Sequence, residues 1–152
     1  MLIDSLFLFG TLKDRGLFEI VLGTNIDVFP AIAPGFSVWK VQNAVYPLMV
    51  KDSKGEADGL LLTNLTSETI ARADFYEQLF DYYLEPIQVT SLNQTAATFV
   101  YMPQNSIEPI QEDWDLAEWQ TVSAKETYKF AKKVMSQYGV KSVEQVRSEL
   151  NI

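Results

Sequence analysis

Asp74 and Glu77 follow Ile70 and Ala73 at spacings of three, four and seven. If the segment is helical, both acids lie on or beside its apolar face rather than opposite it. A carboxylate in that position is partly desolvated and has an acid for a neighbour. Both effects raise the pKa of Glu77 toward the range where it can take up and return a proton near neutral pH. The alternative is structural: either acid pairs with Arg72, Lys40 or a backbone amide near the helix end. A second chemical feature is the loop from Phe9 to Gly16, which follows an apolar strand and precedes a helix. Exposed backbone amides in such a loop can hold a carboxylate or an oxyanion. Neither the Gly-Lys-Ser/Thr phosphate signature nor the dinucleotide glycine spacing is present, so a plain tight turn is the competing reading.

What the chain lacks narrows the chemistry further. It has no histidine and no cysteine, which excludes a Ser-His-Asp triad, a Cys-His dyad, imidazole or thiolate metal sites and disulfides. Proton transfer then falls to a carboxylate, a lysine or a tyrosine.

The elements that must position these residues read as follows. Ser5 to Phe9 is a short buried strand, and Leu17 to Leu22 is a helix stopped by Gly23. From Ile26 to Val50, Pro30, Pro34-Gly35, Asn43 and Pro47 interrupt β-branched runs, which predicts strands and turns. Lys54-Gly55 is read as a turn into a strand over Ala57 to Leu65. Thr66 caps a helix from Ser67 to about Gln78, with Glu68 in its first turn. Tyr82 to Ser91 and Ala96 to Met102 form a hairpin around Leu92-Asn93-Gln94. A polar loop holding Pro103 and Pro109 leads to one long helix, Leu116 to Tyr138, with Asp115 and Glu118 in capping-box positions and Gly139 as its stop. Ser142 and Gln145 start a last short helix. The predicted fold is α+β: a mixed sheet or small β-barrel of five to seven strands with flanking helices. One domain spans 1–152, with a C-terminal helical extension from about 115 whose Leu116, Trp119, Ala124, Tyr128, Ala131, Met135 and Tyr138 cover the sheet.

Composition bounds the partners. Apolar residues make up 47% of 152, an ordinary globular proportion, and the net charge is -8. That charge repels phosphate backbones and anionic lipid, so no nucleic-acid or membrane partner is expected. Lys125, Lys129, Lys132 and Lys133 share a helix face and read as a solvated stripe. The N-terminus has no basic leader and its apolar run is short, which predicts a cytoplasmic protein.

Several segments carry a resemblance. Leu6-Phe7-Leu8-Phe9-Gly10-Thr11-Leu12 resembles the N-terminal motif of the gamma-glutamylcyclotransferase-like (AIG2-like) superfamily, an apolar strand ending in Tyr-Gly-Thr-Leu. Tyr46-Pro47-Leu48, Asp58-Gly59-Leu60-Leu61 and Asp74-Phe75-Tyr76-Glu77 followed by Tyr83 are similar to its later segments, in the family's order, so that the match covers about residues 5 to 102. The resemblance implies a small barrel with flanking helices. It also implies a reaction that turns a γ-glutamyl amide into 5-oxoproline and a free amine, with no cofactor and no metal. Glu77 is then the base and later the acid. The amides of Gly10, Thr11 and Leu12 hold the substrate's α-carboxylate or the oxyanion, Phe9 forms a wall, and Tyr83 orients Glu77 or the substrate. The partner implied is a small γ-glutamyl compound. Phe9 stands where the family has Tyr, Leu60 where Glu is frequent, and Glu85 where Arg often follows the Tyr. These departures leave open a non-catalytic ligand-binding or interaction module that keeps the pocket, or a domain acting beside or within a larger enzyme.

Overall fold

Alternation in a strand sends successive side chains to opposite faces, and Leu6-Phe7-Leu8-Phe9 uses both. In the computed structural model, which describes residues 2–152, Leu6 and Leu8 join a core shared with the helices, whereas Phe7 and Phe9 join a second core on the other face. Both faces of strand β1 (Leu6–Leu8) are therefore covered, and each fully buried Leu or Phe contributes roughly 1.5–3 kcal/mol of apolar burial. A 3-10 turn (Thr11–Lys13) and helix α1 (Arg15–Val21) follow. The long strands β2 (Asp27–Val41) and β3 (Pro47–Thr63) lead to α2 (Ser67–Glu77) and a second 3-10 turn (Gln78–Phe80). The hairpin β4 (Tyr82–Ser91) and β5 (Gln94–Pro103), the short β6 (Pro109–Asp113), and α3 (Leu116–Val122), α4 (Ala124–Met135) and α5 (Val143–Leu150) complete the chain.

The strand order is β1-β3-β2-β4-β5, with β6 pairing β2. The α+β class holds. Within it, the described strand pairs are all antiparallel rather than mixed, and the sheet is open rather than closed into a barrel. Between β2 and β4 the ladder is reduced to Ile32 opposite Thr90. Gly59 of β3 is required where β1 lies closest. A Cβ there would stand 2.4 Å from the Leu8 carbonyl oxygen and 2.5 Å from the Phe7 ring.

Five local expectations are corrected. Lys54-Gly55 is not a turn, because β3 runs through it while β2 absorbs a bulge between Pro34 and Phe36. Prolines do not break β2. Pro30 accepts a hydrogen bond from the Ser91 hydroxyl at 2.7 Å through its carbonyl, so its missing N–H also faces away from β3. The stretch holding Pro109 is strand β6, whose Ile110 pairs with Lys40. The long C-terminal helix is two helices broken at Ser123, and Glu118 reaches Lys40 at 3.7 Å instead of closing a capping box with Asp115. The other start signals hold: Thr66 accepts from the Thr69 amide, and Ser142 and Gln145 form a reciprocal capping box. The C-terminal apolar residues do cover the core, and the Lys125 to Lys133 stripe is exposed.

Candidate active site

Thr66 caps α2, and Ile70, Ala73, Phe75 and Tyr76 bury the helix against the core. The face that follows from this register carries Glu77 to the wall of a cavity of about 700 Å³. The same cavity is lined by the end of β1 with its loop: Phe9, Gly10, Thr11 and Leu12. Gly10 packs against Pro47, whose Cγ would lie 3.1 Å from an added Cβ, so the backbone can run close to the Tyr46-Pro47 segment. Because Thr11–Lys13 is a single helical turn, its leading N–H groups have no acceptor within it.

Glu77 is half-buried, and no ion pair or hydrogen bond engages its carboxyl among the described residues. The cations considered as structural partners are committed elsewhere. Arg72 donates to the carbonyls of Val21 and Ile20 at 2.8 and 2.9 Å, closing the end of α1. Lys40 pairs with Glu112 at 3.0 Å and with Glu118. Burial pushes the Glu77 carboxyl from 4.5 up to about 8, with the charge of Asp74 adding to the rise. Asp74 itself accepts a hydrogen bond from the Tyr101 hydroxyl at 2.7 Å, which turns that ring into the cavity wall.

Tyr83, expected at the site, lies outside it: the residue is 39% exposed and does not line the cavity. Its neighbour Tyr82 does, because consecutive residues of β4 face opposite sides. Burial, then the nearby Tyr46 and Glu77, push the Tyr82 hydroxyl above its ordinary pKa, and its oxygen has no hydrogen-bond partner among the described residues. The sequence reading also missed a wall built by the C-terminal helices, where Trp119, Val122, Ser123, Thr127 and Phe130 border the cavity. The apolar spacing of Trp119 and its successors was visible; the break at Ser123 that turns both helices toward one space was not.

An aromatic hub joins the walls. Phe80 lies 6.0 Å from Tyr46, 5.7 Å from Tyr76 and 6.0 Å from Phe130, centroid to centroid. The turn that aims Phe80 is held from α5, whose Arg147 donates to Asp81 at 2.6 and 3.3 Å and to the Gln78 carbonyl. Arg147→Ala is therefore expected to destabilise the fold by about 1–3 kcal/mol, measured by denaturant unfolding. An unchanged midpoint would show that this clamp does not hold the turn.

Among the described residues no group of three or more acids is arranged as a metal site, and no helix is long and apolar enough to cross a membrane. A family profile described as gamma-glutamyl cyclotransferase, AIG2-like, matches residues 6–121. AIG2-like protein A of Arabidopsis thaliana is 24% identical over 135 residues, 88% of this chain and 82% of that protein. A solution structure of an Arabidopsis thaliana protein superposes with a TM-score of 0.63 at 24% identity, covering 91% of this chain and 94% of that one. A structure named gamma-glutamyl cyclotransferase gives 0.59 at 11% identity, covering 85% and 86%. At these identities the structural likeness speaks to the fold.

Proposed function

Because this chain belongs to the gamma-glutamyl cyclotransferase, AIG2-like family, we propose that it is a cyclotransferase of the cytoplasm acting on small γ-glutamyl amides and releasing 5-oxoproline and an amine. The observation that carries this reading is Glu77, unpaired and poorly hydrated, in one cavity with the Phe9 to Leu12 loop. The substrate's α-ammonium gives a proton to the Glu77 carboxylate, and the freed amine attacks its own γ-carbonyl carbon. A C–N bond forms to close the five-membered ring, and the carbonyl oxygen gains negative charge. The N–H groups of Gly10, Thr11 and Leu12 receive that charge or the α-carboxylate. The bond to the leaving amine then breaks as Glu77 returns its proton to that nitrogen, and the ring nitrogen gives up its own extra proton to the released amine, so that a neutral lactam and an ammonium result. No water is consumed, and no outside oxidant or reductant enters.

Phe9 supplies apolar wall without a hydroxyl, so the loop amides carry the polar contacts on that side. Tyr82 takes the place that the resemblance gave to Tyr83. Its ring meets Tyr46 edge-on at 6.2 Å, which fixes the wall beside Glu77.

With a carboxyl at about 8 and a substrate α-amine that its own α-carboxylate raises above the roughly 8 of a peptide N-terminus, kcat/KM rises with pH as Glu77 ionises. It falls once the substrate ammonium has lost the proton that must be relayed. A bell whose rising limb lies near pH 8 in 5-oxoproline release from a panel of γ-glutamyl amides is the expected result. Absence of 5-oxoproline from every member of the panel, or a rising limb near pH 4 to 5, removes the proposal.

A further inference from the structure

The cavity is larger than a γ-glutamyl group alone can fill, and the character of the remaining space differs from that of the glutamyl end. Nine of its lining residues are aromatic and none is lysine or arginine. Its acids are Glu77 and Glu126. Glu126 meets only Lys129, at 3.5 Å on the outer surface, where both side chains are largely exposed. Beside it opens a lobe of about 200 Å³ that shares Val45, Trp119 and Val122 with the main cavity. The one cation in that lobe is Lys40, already held by Glu112 and Glu118. At the rim, Val45 and Val122 leave 54% and 74% of their surface in water, apolar area that a bound apolar group would cover.

Taking the cyclotransferase reading as its basis, the geometry points to a leaving amine that is bulky and apolar, aromatic above all, and free of a carboxylate. The glutamyl half sits between Glu77 and the Gly10 to Leu12 amides. The amine half extends along Tyr46, Phe80, Phe130 and Val122 toward the α3–α4 wall. A carboxylate on that half would be desolvated among rings, with no lysine or arginine of the described residues lining the cavity to meet it and with Glu126 at its side, a double penalty. An aryl group there stacks on the Phe80 and Phe130 rings and dries the rim.

The test compares γ-glutamyl-benzylamide with γ-glutamyl-glycine and γ-glutamyl-alanine, following 5-oxoproline. Expected is a kcat/KM at least about tenfold higher for the benzylamide, with the ratio shrinking in Phe130→Ala and in Glu126→Lys. Equal or better turnover of the carboxylate-bearing compounds overturns this inference and leaves the cyclotransferase reading standing. If none of the compounds yields 5-oxoproline, the catalytic reading fails instead, and titration calorimetry of the same three compounds decides the specificity. Tighter binding of the benzylamide upholds the apolar subsite, and equal or weaker binding overturns it.

Discussion

Glu77→Gln is expected to cut 5-oxoproline release by about 10²–10⁴-fold, the usual range for a lost proton-transfer group, and to make the folded chain more stable at alkaline pH. The two effects have one cause. The folded carboxyl titrates at about 8 against an ordinary 4.5, so between those values the native state holds a proton that the unfolded state has released. Stability therefore falls as pH rises across that window, and the full cost is present above about pH 8. Below pH 4 both states are protonated and the cost vanishes. The shift corresponds to on the order of 3 to 5 kcal/mol, taken toward the lower end because the cavity admits water to the side chain. Glutamine keeps the shape and carries no charge, so it escapes this cost. Thermal unfolding at pH 9 is expected to show the variant melting about 10 °C above wild type, with the gap closing at pH 4. A pH-independent gap would mean that Glu77 is not a strained acid, and undiminished turnover would remove it from the reaction.

Asp14→Ala is expected to destabilise the fold by about 3–5 kcal/mol, through several lost contacts at once. Asp14 is 5% exposed and caps α1, accepting from the Leu17 amide at 3.0 Å. It also accepts from Gln120 of α3 at 2.8 Å and from the Tyr128 hydroxyl of α4 at 2.5 Å. Burial pushes this carboxyl up. The bonds from Tyr128, Leu17 and Gln120 outweigh that and hold it below its ordinary 3.8. Its stabilising contribution is thus present above about pH 4 and is lost as pH falls through the depressed folded value. Alanine leaves a phenol and an amide without their acceptor and uncaps the helix that follows the site loop. Because the same carboxylate ties the loop to the α3–α4 wall, the variant is also expected to raise KM. Denaturant unfolding at pH 7 measures the first effect; a change under 1 kcal/mol would show the network to be dispensable. Tyr128→Phe, which removes one of the three bonds, is expected to cost about 1–2 kcal/mol.

The Tyr82 and Tyr83 pair shows where local reading stops. Both are β-formers in a segment correctly read as a strand, and alternation guarantees that only one faces the helices. Which one depends on register against β5, where Tyr83 pairs with Met102 and Tyr82 with Pro103, and no property of the two residues themselves decides it. The same holds for Ser123. It interrupts the helical run with φ -121° and ψ -17°, yet neither glycine nor proline marks the spot, so only the packing of α3 and α4 around the cavity explains the break. Proline and glycine misled in the opposite direction in β2 and β3. Their local preference for turns yielded to long strands in which Pro30 faces away from its partner and Lys54-Gly55 continues the ladder.

Chain-local physics was enough for the features whose causes are chain-local: the doubly buried β1, the caps at Thr66 and Ser142, the hairpin whose Leu92 and Asn93 both take positive φ, and the chemistry closed off by having no histidine or cysteine. The α+β class followed from the order of those elements. Tertiary structure alone decided that the sheet stays open, that Phe80 and the two C-terminal helices enclose the space beside Glu77, and that among the described residues no lysine or arginine lines it. Those are outcomes of register, of crossing helices and of competition for partners such as Glu112 and Glu118. Each depends on residues far apart in the chain meeting in one place.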